Sequence, residues 1–443
     1  MKLAVVASLQ ERLAVWFPAD SRRRRIAFGV LIYLVCTGVF FAFARRDVLT
    51  EHTKANHFAL LADSWLHGRL DLGHPPPAYT QNNDFAEYNG KWFISFPPFP
   101  AVILLPVLLV AKTPENLRDG QIWLWLAGIG PAILFLVLEK LRRMGESERT
   151  ELQNLALSWI FSFGTVYFFT VEQGTVWFAA HIVAVALAGI YLLGALGAER
   201  PLLAGTALGC AFLTRPDMLP AGLLFLCEAL RTARESESKK IQWAKVAKKL
   251  ALLAIPIAIT LAIVGWHNRA RFGTFQFGHE HLTVGWRARI DKWGLFSYHY
   301  LARNLGIFTS SLPFMLKQPP WFQINTHGLA LWFTTPIYLF LFWPRKTSAV
   351  FRSLVIGTVP VVIMLLLYQN SGWLQFGYRF SNDYAVFLFA MLAISGPRFG
   401  APFWALVSWG IAVNTFGALT FDRGGFQQFY YTDNSQQIIF QPD

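Results

Sequence analysis

The sequence predicts an all-α polytopic membrane protein, with about eleven transmembrane helices and large external segments at one membrane face. Three observations carry this prediction. Hydrophobic residues make up 54% of the 443 residues and charged residues only 15%, and the mean hydropathy is +0.38. The apolar runs are continuous rather than alternating, which favours helices over strands. Basic residues gather in short segments between these runs, as they do in cytoplasmic loops.

The apolar runs define the predicted spans. A bilayer-crossing helix needs about 20 mainly apolar residues. Two runs near residues 200–230 are short and meet at a turn that contains Arg215. The run Pro98–Ala111 is also short, and we interpret it as re-entrant or interfacial. The predicted spans are 26–44, 121–138, 151–171, 174–198, 201–214, 218–230, 249–266, 328–343, 350–368, 381–396 and 401–420.

The positions of the basic clusters indicate which loops face the cytoplasm. If Pro98–Ala111 does not cross, the clusters at 22–25, 140–143, 231–249 and 345–352 all fall on the cytoplasmic side. Residues 1–420 then form a single transmembrane domain in the cell's inner (plasma) membrane. Its extracytoplasmic pieces are a first external loop, 45–96, a second external loop, 267–327, and a C-terminal tail, 421–443. An active site is expected at this external face.

Charge and cysteine content exclude several classes. The net charge of +13 is explained by orienting loops that face anionic membrane lipids, so no nucleic-acid partner is needed. Cys36, Cys210 and Cys227 lie in predicted spans, which argues against a disulfide framework. The N-terminus lacks the features of a cleaved signal peptide, and 26–44 is more simply an uncleaved anchor.

The first external loop is too long for a simple connector and too aromatic for a disordered one. Lys54–His67 is predicted to form an amphipathic helix that ends at Gly68. Its apolar face, with Phe58 and Trp65, is expected to lie on the membrane interface. Its polar stripe, which includes Asp63, either faces water or lines a cavity roofed by the second loop.

A family resemblance begins where this loop ends. Asn89-Gly90 precedes the aromatic pair Trp92-Phe93, and Pro97-Pro98 then opens an apolar run. Similar features follow in order: His57–Ala62 upstream, then Arg215-Pro216, Asn268 with Arg271-Phe272-Gly273, and Gly377-Tyr378-Arg379. Their order resembles GT-C membrane glycosyltransferases, a class that includes the protein mannosyltransferases (bacterial family 39-like) and the lipid A aminoarabinose transferase.

The resemblance implies a GT-C-like fold with external juxtamembrane helices. It also implies an inverting hexosyl or pentosyl transfer from a polyprenyl-phosphate-linked sugar to a lipid, glycan or protein acceptor. Such a reaction needs a carboxylate to accept the hydroxyl proton, cations for the leaving phosphate, and alignment of both substrates. The acidic pair that is common in the family is replaced here by Lys54-Ala55.

The candidate bases are therefore neighbouring acids, in the order Asp63, Asp84, Glu51. Asp63 lies mid-helix among apolar residues, where an unpaired carboxylate is costly; the alternative is a structural ion pair with His67 or Arg69. Asp84 lies in a polar turn, where Tyr88 or an adjacent asparagine could orient it, or where it could simply form the turn. Glu51 could equally be solvated at a helix start.

The candidate phosphate ligands are arginines, because the planar guanidinium donates two parallel hydrogen bonds to phosphate. Arg215 and Arg379 lie between spans, where a charge usually has a role, although both could instead snorkel to the interface. Arg269 and Arg271 are further candidates, and the remaining substrate-binding candidates are Asn268, His57 and Tyr88. The sequence predicts no metal site and no certain cofactor; a divalent cation stays open.

Two other functions stay open. A transporter or flippase for lipid-linked sugars would need polar groups at mid-membrane and broken helices in two related halves. The charges here gather at one face instead. A non-enzymatic scaffold would not require Arg215 and Arg379 at adjacent span mouths.

Overall fold

A computed structural model describes residues 16–18, 20–235, 240–284 and 286–432. The end of the predicted tail, 433–443, lies outside the described residues. The α-helices are α1 Arg22–Phe43, α2 Arg46–Thr50, α3 His57–Leu66, α4 Phe99–Ala111, α5 Asp119–Ala127, α6 Ile129–Arg143, α7 Glu151–Phe163, α8 Tyr167–Val171, α9 Val176–Ala195, α10 Pro201–Phe212, α11 Gly222–Thr232, α12 Trp243–Phe272, α13 Arg287–Trp293, α14 Leu301–Ser310, α15 Leu331–Thr334, α16 Ala349–Leu366, α17 Asn382–Ser395 and α18 Ala401–Thr420.

Short strands accompany the helices. They are β1 Phe85–Tyr88, β2 Lys91–Ile94, β3 Phe314–Met315, β4 Phe322–Asn325 and β5 Tyr430–Tyr431. All lie in the predicted external segments, for which the sequence had predicted helices but no strands. β1 and β2 pair antiparallel around Asn89-Gly90. Both turn residues have positive φ, 53° and 71°, as a two-residue hairpin turn with this sequence requires.

Within the part of the chain that the structure describes, six helical segments are long and apolar enough to cross a membrane, by length and composition. They correspond to six of the predicted spans: Arg22–Phe43, Asp119–Arg143, Val176–Ala198, Trp243–Phe272, Ala349–Leu366 and Ala401–Thr420. The number of about eleven is not confirmed. The predicted span 151–171 is interrupted between α7 and α8, and 328–343 consists of α15 and a 3-10 turn that begins at Pro336.

Helix α3 lies deeper than the sequence suggested. His57 through Ala62 are all buried, each 3% exposed or less, and α3 packs against α4. A helix resting on the interface with one face in water would leave its polar side exposed. The helix is therefore enclosed by other parts of the protein over most of its length, and only its end, at His67, is exposed.

The external segments contact one another. The Thr283 backbone N–H donates to the Phe85 carbonyl at 3.2 Å, and Arg271 donates to the Ile94 carbonyl at 2.6 Å. The tail strand β5 pairs parallel with β4 of the second loop. The first loop, the second loop and the described part of the tail therefore cover the same end of the helical body.

Candidate active site

Two cavities lie under the external segments, and they share a wall. We call them the outer cavity, 510 Å³, and the inner cavity, 560 Å³. Trp177, Asn370 and Arg379 line both cavities. The outer cavity is bounded by polar groups from the loops and the tail, including Asp84. The inner cavity is bounded mostly by apolar side chains and also by Arg215. A ligand in one cavity can thus meet a ligand in the other at Arg379.

Arg379 is a buried cation that forms no ion pair with any of the described residues. Its residue is 4% exposed, and its Nε and Nη1 atoms have no hydrogen-bond partner among the described residues. The guanidinium lies over the rings of Phe178, at 4.7 Å, and Phe380, at 5.6 Å. Burial lowers the pKa of Arg379 to about 9, so the side chain stays charged at neutral pH. Such a group is costly unless an anion joins it.

The backbone around Arg379 explains its position. A 3-10 turn, Arg379–Ser381, leads directly into α17. The Arg379 N–H donates to Gln375 Oε1 at 2.8 Å, and the Gln375 amide in turn donates to the His327 and Ser371 carbonyls. The second external loop and the segment before α17 therefore fix this arginine from the backbone side and leave its guanidinium for the cavities.

Asp84 is the predicted base that reaches the outer cavity. It is half-buried, with φ of 63°, and its Oδ2 accepts a hydrogen bond from Trp177 Nε1 at 2.7 Å. Burial raises the pKa of Asp84 to about 6, against the opposing effects of the Trp177 N–H and the Arg379 charge. A carboxylate that borders a cavity and whose pKa lies close to neutral pH is suited to general base catalysis.

Arg215 contacts the same ring as Arg379 but is already neutralised. Its guanidinium lies 4.9 Å from the Phe380 ring centroid, so the structure brings the two predicted arginines together. Its Nε and Nη2 donate to Asp383 Oδ2 at 2.9 and 2.8 Å, and Nη2 is 3.4 Å from Asp217 Oδ1. Asp383 Oδ1 also contacts His181 Nδ1 at 2.8 Å. Arg215 therefore belongs to a buried ion-pair network.

The other two candidate bases lie elsewhere. Asp63 contacts His67 at 3.5 Å and Arg69 at 3.9 Å, which is the structural alternative that the sequence left open. Glu51 is exposed after α2. Neither side chain lines the outer or the inner cavity.

Asn268 and Arg271 brace the second loop against the hairpin. Arg271 Nη2 donates to Asn268 Oδ1 at 2.7 Å and Nη1 donates to the Ile94 carbonyl. Asn268 Nδ2 donates to the Phe275 carbonyl at 3.1 Å. The neighbouring Arg269 is exposed and lies over the Phe275 ring. None of these polar side chains lines either cavity.

His57 and Tyr88 support the hairpin. Burial lowers the pKa of His57 to about 4, so the neutral ring donates from Nε2 to the Asn83 carbonyl at 2.8 Å. This bond holds the residue before Asp84. Tyr88 packs on the His281 ring, with centroids 4.5 Å apart. His57 thus reaches the site through the backbone, and Tyr88 does not line either cavity.

Several site residues were not singled out from the sequence. Trp177, the hydrogen-bond partner of Asp84, resembles any interfacial aromatic residue. Asp217 lies two residues after a predicted site arginine, and Asp383 lies near the start of a predicted span; these are the signals that could have identified them. Asn370 carries no such signal. Within the described residues, no group of three or more His, Cys, Asp or Glu side chains is placed to hold a metal ion.

No family model and no curated protein matches the chain. The apo oligosaccharyltransferase of Archaeoglobus fulgidus is similar at 11% identity and a TM-score of 0.43, over 91% of this chain and 55% of that one. The A. fulgidus oligosaccharyltransferase AglB, in complex with an inhibitory peptide and a dolichol-phosphate, is similar at 11% identity and a TM-score of 0.44, over 94% and 56%. The chain thus spans just over half the length of these proteins.

Proposed function

We propose that this protein is a membrane glycosyltransferase that moves a sugar from a polyprenyl-phosphate carrier to an acceptor hydroxyl at the external face. One observation carries the proposal: a carboxylate, Asp84, and a buried cation without an ion-pair partner among the described residues, Arg379, both line the outer cavity, and Arg379 lines the inner cavity as well. A carboxylate on one side and a cation on the other are the two groups that such a transfer requires.

The inner cavity suits the donor. Its apolar lining, with Pro97, Phe212 and Leu219 among others, matches the first part of a prenyl chain. The donor phosphate would then lie at Arg379, where the free Nε and Nη1 offer charge-assisted hydrogen bonds. Arg215 would contribute mainly by holding the turn that forms this end of the cavity, because its own charge is matched by Asp383.

The outer cavity suits the acceptor. The acceptor oxygen would attack the anomeric carbon from the Asp84 side, and the carbon–oxygen bond to the phosphate would break toward the inner cavity. The hydroxyl proton would pass to Asp84, and the lipid phosphate would leave with the bonding electron pair and be stabilised by Arg379. An attack and a departure on opposite sides of the sugar invert its anomeric configuration.

Reconstitution in liposomes tests this proposal against a flippase. The protein would be supplied in turn with radiolabelled polyprenyl-phosphate glucose, mannose and aminoarabinose, together with a glycan extract of the membrane. We expect one donor to be consumed, with its label moved to an acceptor, and the Asp84→Asn variant to consume it roughly 10²–10⁴-fold more slowly. Movement of intact donor across the bilayer without cleavage would favour the transporter, and an inert wild-type protein would contradict both.

A further inference from the structure

The outer cavity carries an excess of positive charge. Among the described residues, four arginines line it, Arg289, Arg303, Arg379 and Arg423, against the two aspartates Asp84 and Asp422. The negative charge of Asp422 is also balanced by another residue, because its Oδ2 forms an ion pair with Arg45 at 2.9 Å. Clefts lined by one sign of charge concentrate ligands of the opposite sign. The charge of this cavity therefore favours an anionic occupant over a neutral one.

Arg423 is the cavity arginine contributed by the tail. It follows α18, and its Nη2 donates to the Phe43 carbonyl at the end of α1. Its Nε has no hydrogen-bond partner among the described residues. The nearest carboxylate, Glu172, is 3.7 Å away and fully buried, and burial raises the pKa of Glu172 well above its usual range. At this distance Glu172 makes no hydrogen bond to Arg423, so the Nε of Arg423 stays available to an anionic ligand.

Aromatic rings complete the lining. Trp177, Trp286 and Trp373 all border the outer cavity. Flat aromatic faces beside a few fixed polar groups are typical of small-ligand pockets, which measure about 300–1,000 Å³. A volume of 510 Å³ is in the range for one or two sugar rings. Tryptophan faces flanked by arginines suit a ring that carries an acidic substituent.

An extended peptide fits this cavity less well. Peptides that bind by strand addition need an exposed sheet edge of useful length. The four-residue strand β4 is flanked by β3 on one side and β5 on the other, so its edges are occupied. The two flanking strands have only two residues each. The sheet next to the cavity therefore offers a peptide few backbone partners.

We propose that the acceptor is an acidic saccharide, whose carboxylate or phosphate is bound by Arg423 while its ring packs on the cavity tryptophans. This inference rests on the proposed function, since it assigns the outer cavity to the acceptor. Arg423 is then a specificity-determining residue, distinct from the pair Asp84 and Arg379 that would act on the reacting atoms.

Equilibrium binding to the full chain in nanodiscs tests the inference without a donor. The probes are four fluorescent ligands: a glucuronic-acid disaccharide, glucose 6-phosphate, a neutral glucose disaccharide and a short acidic peptide. We expect at least one acidic sugar to bind about tenfold or more tightly than the neutral one. This preference should weaken with added salt, and Arg423→Gln should remove most of it. Arg423→Lys should keep part of the preference, and the exposed Arg269→Gln should keep all of it.

The outcomes separate the two proposals. Equal affinity for acidic and neutral sugars, or an acid preference that survives Arg423→Gln, would overturn the inference, and so would tight binding of the peptide alone. Because Arg423 also contacts Phe43, the salt dependence of the wild-type protein gives a readout that does not depend on a variant. If acidic sugars bind selectively but no polyprenyl donor is ever consumed, the proposed transfer fails and the binding site stands.

Discussion

Asp84 is the residue on which the proposed chemistry depends most directly. It is the candidate base that lines a cavity, and burial raises its pKa to about 6. A general base works only when ionised, so kcat/KM should rise as the pH increases through about 6 and level off above it. Asp84→Asn should lower kcat by roughly 10²–10⁴-fold and remove this dependence. Both effects are measured by recording kcat and kcat/KM as a function of pH for the wild-type protein and for Asp84→Asn.

Asp63 provides the matched control for Asp84. It belongs to the same external loop but pairs with His67 and Arg69 outside both cavities. Asp63→Asn should keep the rate and the pH profile of the wild-type protein. Asp84→Asn should not lower the Tm, because the amide oxygen still accepts from Trp177 and the costly buried charge is gone. If Asp63→Asn, and not Asp84→Asn, removes the pH dependence of the rate, then the general base is Asp63 of α3.

Arg215 and Arg379 flank the same ring, yet their charges are balanced differently. We expect Arg379→Ala to weaken donor binding by about 1.5–3 kcal/mol or more, because the variant lacks the guanidinium that would donate charge-assisted hydrogen bonds to the donor phosphate. Arg379→Lys should recover this only in part, since an ammonium lacks the planar fork. Titration of the polyprenyl-phosphate donor into nanodiscs, with a Tm for each variant, tests this.

Arg215→Ala should behave differently from Arg379→Ala. It leaves Asp383 buried without its main partner, which typically costs about 3–5 kcal/mol of folding free energy. The Tm should therefore fall for Arg215→Ala and hold for Arg379→Ala. If both variants lose donor affinity equally and neither loses stability, the two arginines form one phosphate clamp, as the sequence suggested.

At the scale of elements, the end of α12 is joined to the hairpin by the packing of Phe272 on Phe93 and Tyr88 and by one buried arginine. Arg271 is 4% exposed and bonds Asn268 on its own helix and the Ile94 carbonyl at the end of β2. Arg271→Met should cost about 1.5–3 kcal/mol of folding free energy, because two buried acceptors lose a charged donor. Arg269→Met, two residues away and exposed, should cost less than about 0.5 kcal/mol. Thermal unfolding in detergent compares them.

The same elements show what could be predicted from the sequence. Long apolar runs predicted the six longest spans, because burial in lipid requires continuous apolar helices. Asn89-Gly90 carried a hairpin signal that the all-α prediction did not use. The burial of α3 could not be predicted, because it depends on contacts with segments far away in the sequence, such as those of His57 with Trp177 and of Trp65 with His267. Neither could the pairing of Arg215 with Asp383, which are 168 residues apart.

At the scale of the whole molecule, α1 connects two different ends. Near its start, Arg24 pairs with Glu151 at 2.7 Å, and at its end the Phe43 carbonyl accepts from Arg423 of the tail. Its 22 residues span roughly 33 Å, close to the thickness of a bilayer core. The first end holds Arg22–Arg25 and the α6–α7 turn, and the second end holds the external segments and both cavities. Because α1 runs from one end to the other, its length sets the distance between the basic end and the cavity end of the protein.

This arrangement predicts sidedness. Glu87 in the first loop and Gln318 in the second are exposed at the cavity end, whereas Glu148 is exposed at the basic end of α1. With native cysteines replaced by serine, Glu87→Cys and Gln318→Cys should react with a membrane-impermeant maleimide on intact cells. Glu148→Cys should react only after permeabilisation, because basic loops stay cytoplasmic. Opposite labelling of Glu87→Cys and Gln318→Cys would contradict the fold itself. Labelling of Glu148→Cys alone on intact cells would keep the fold, invert its orientation, and place the proposed transfer in the cytoplasm.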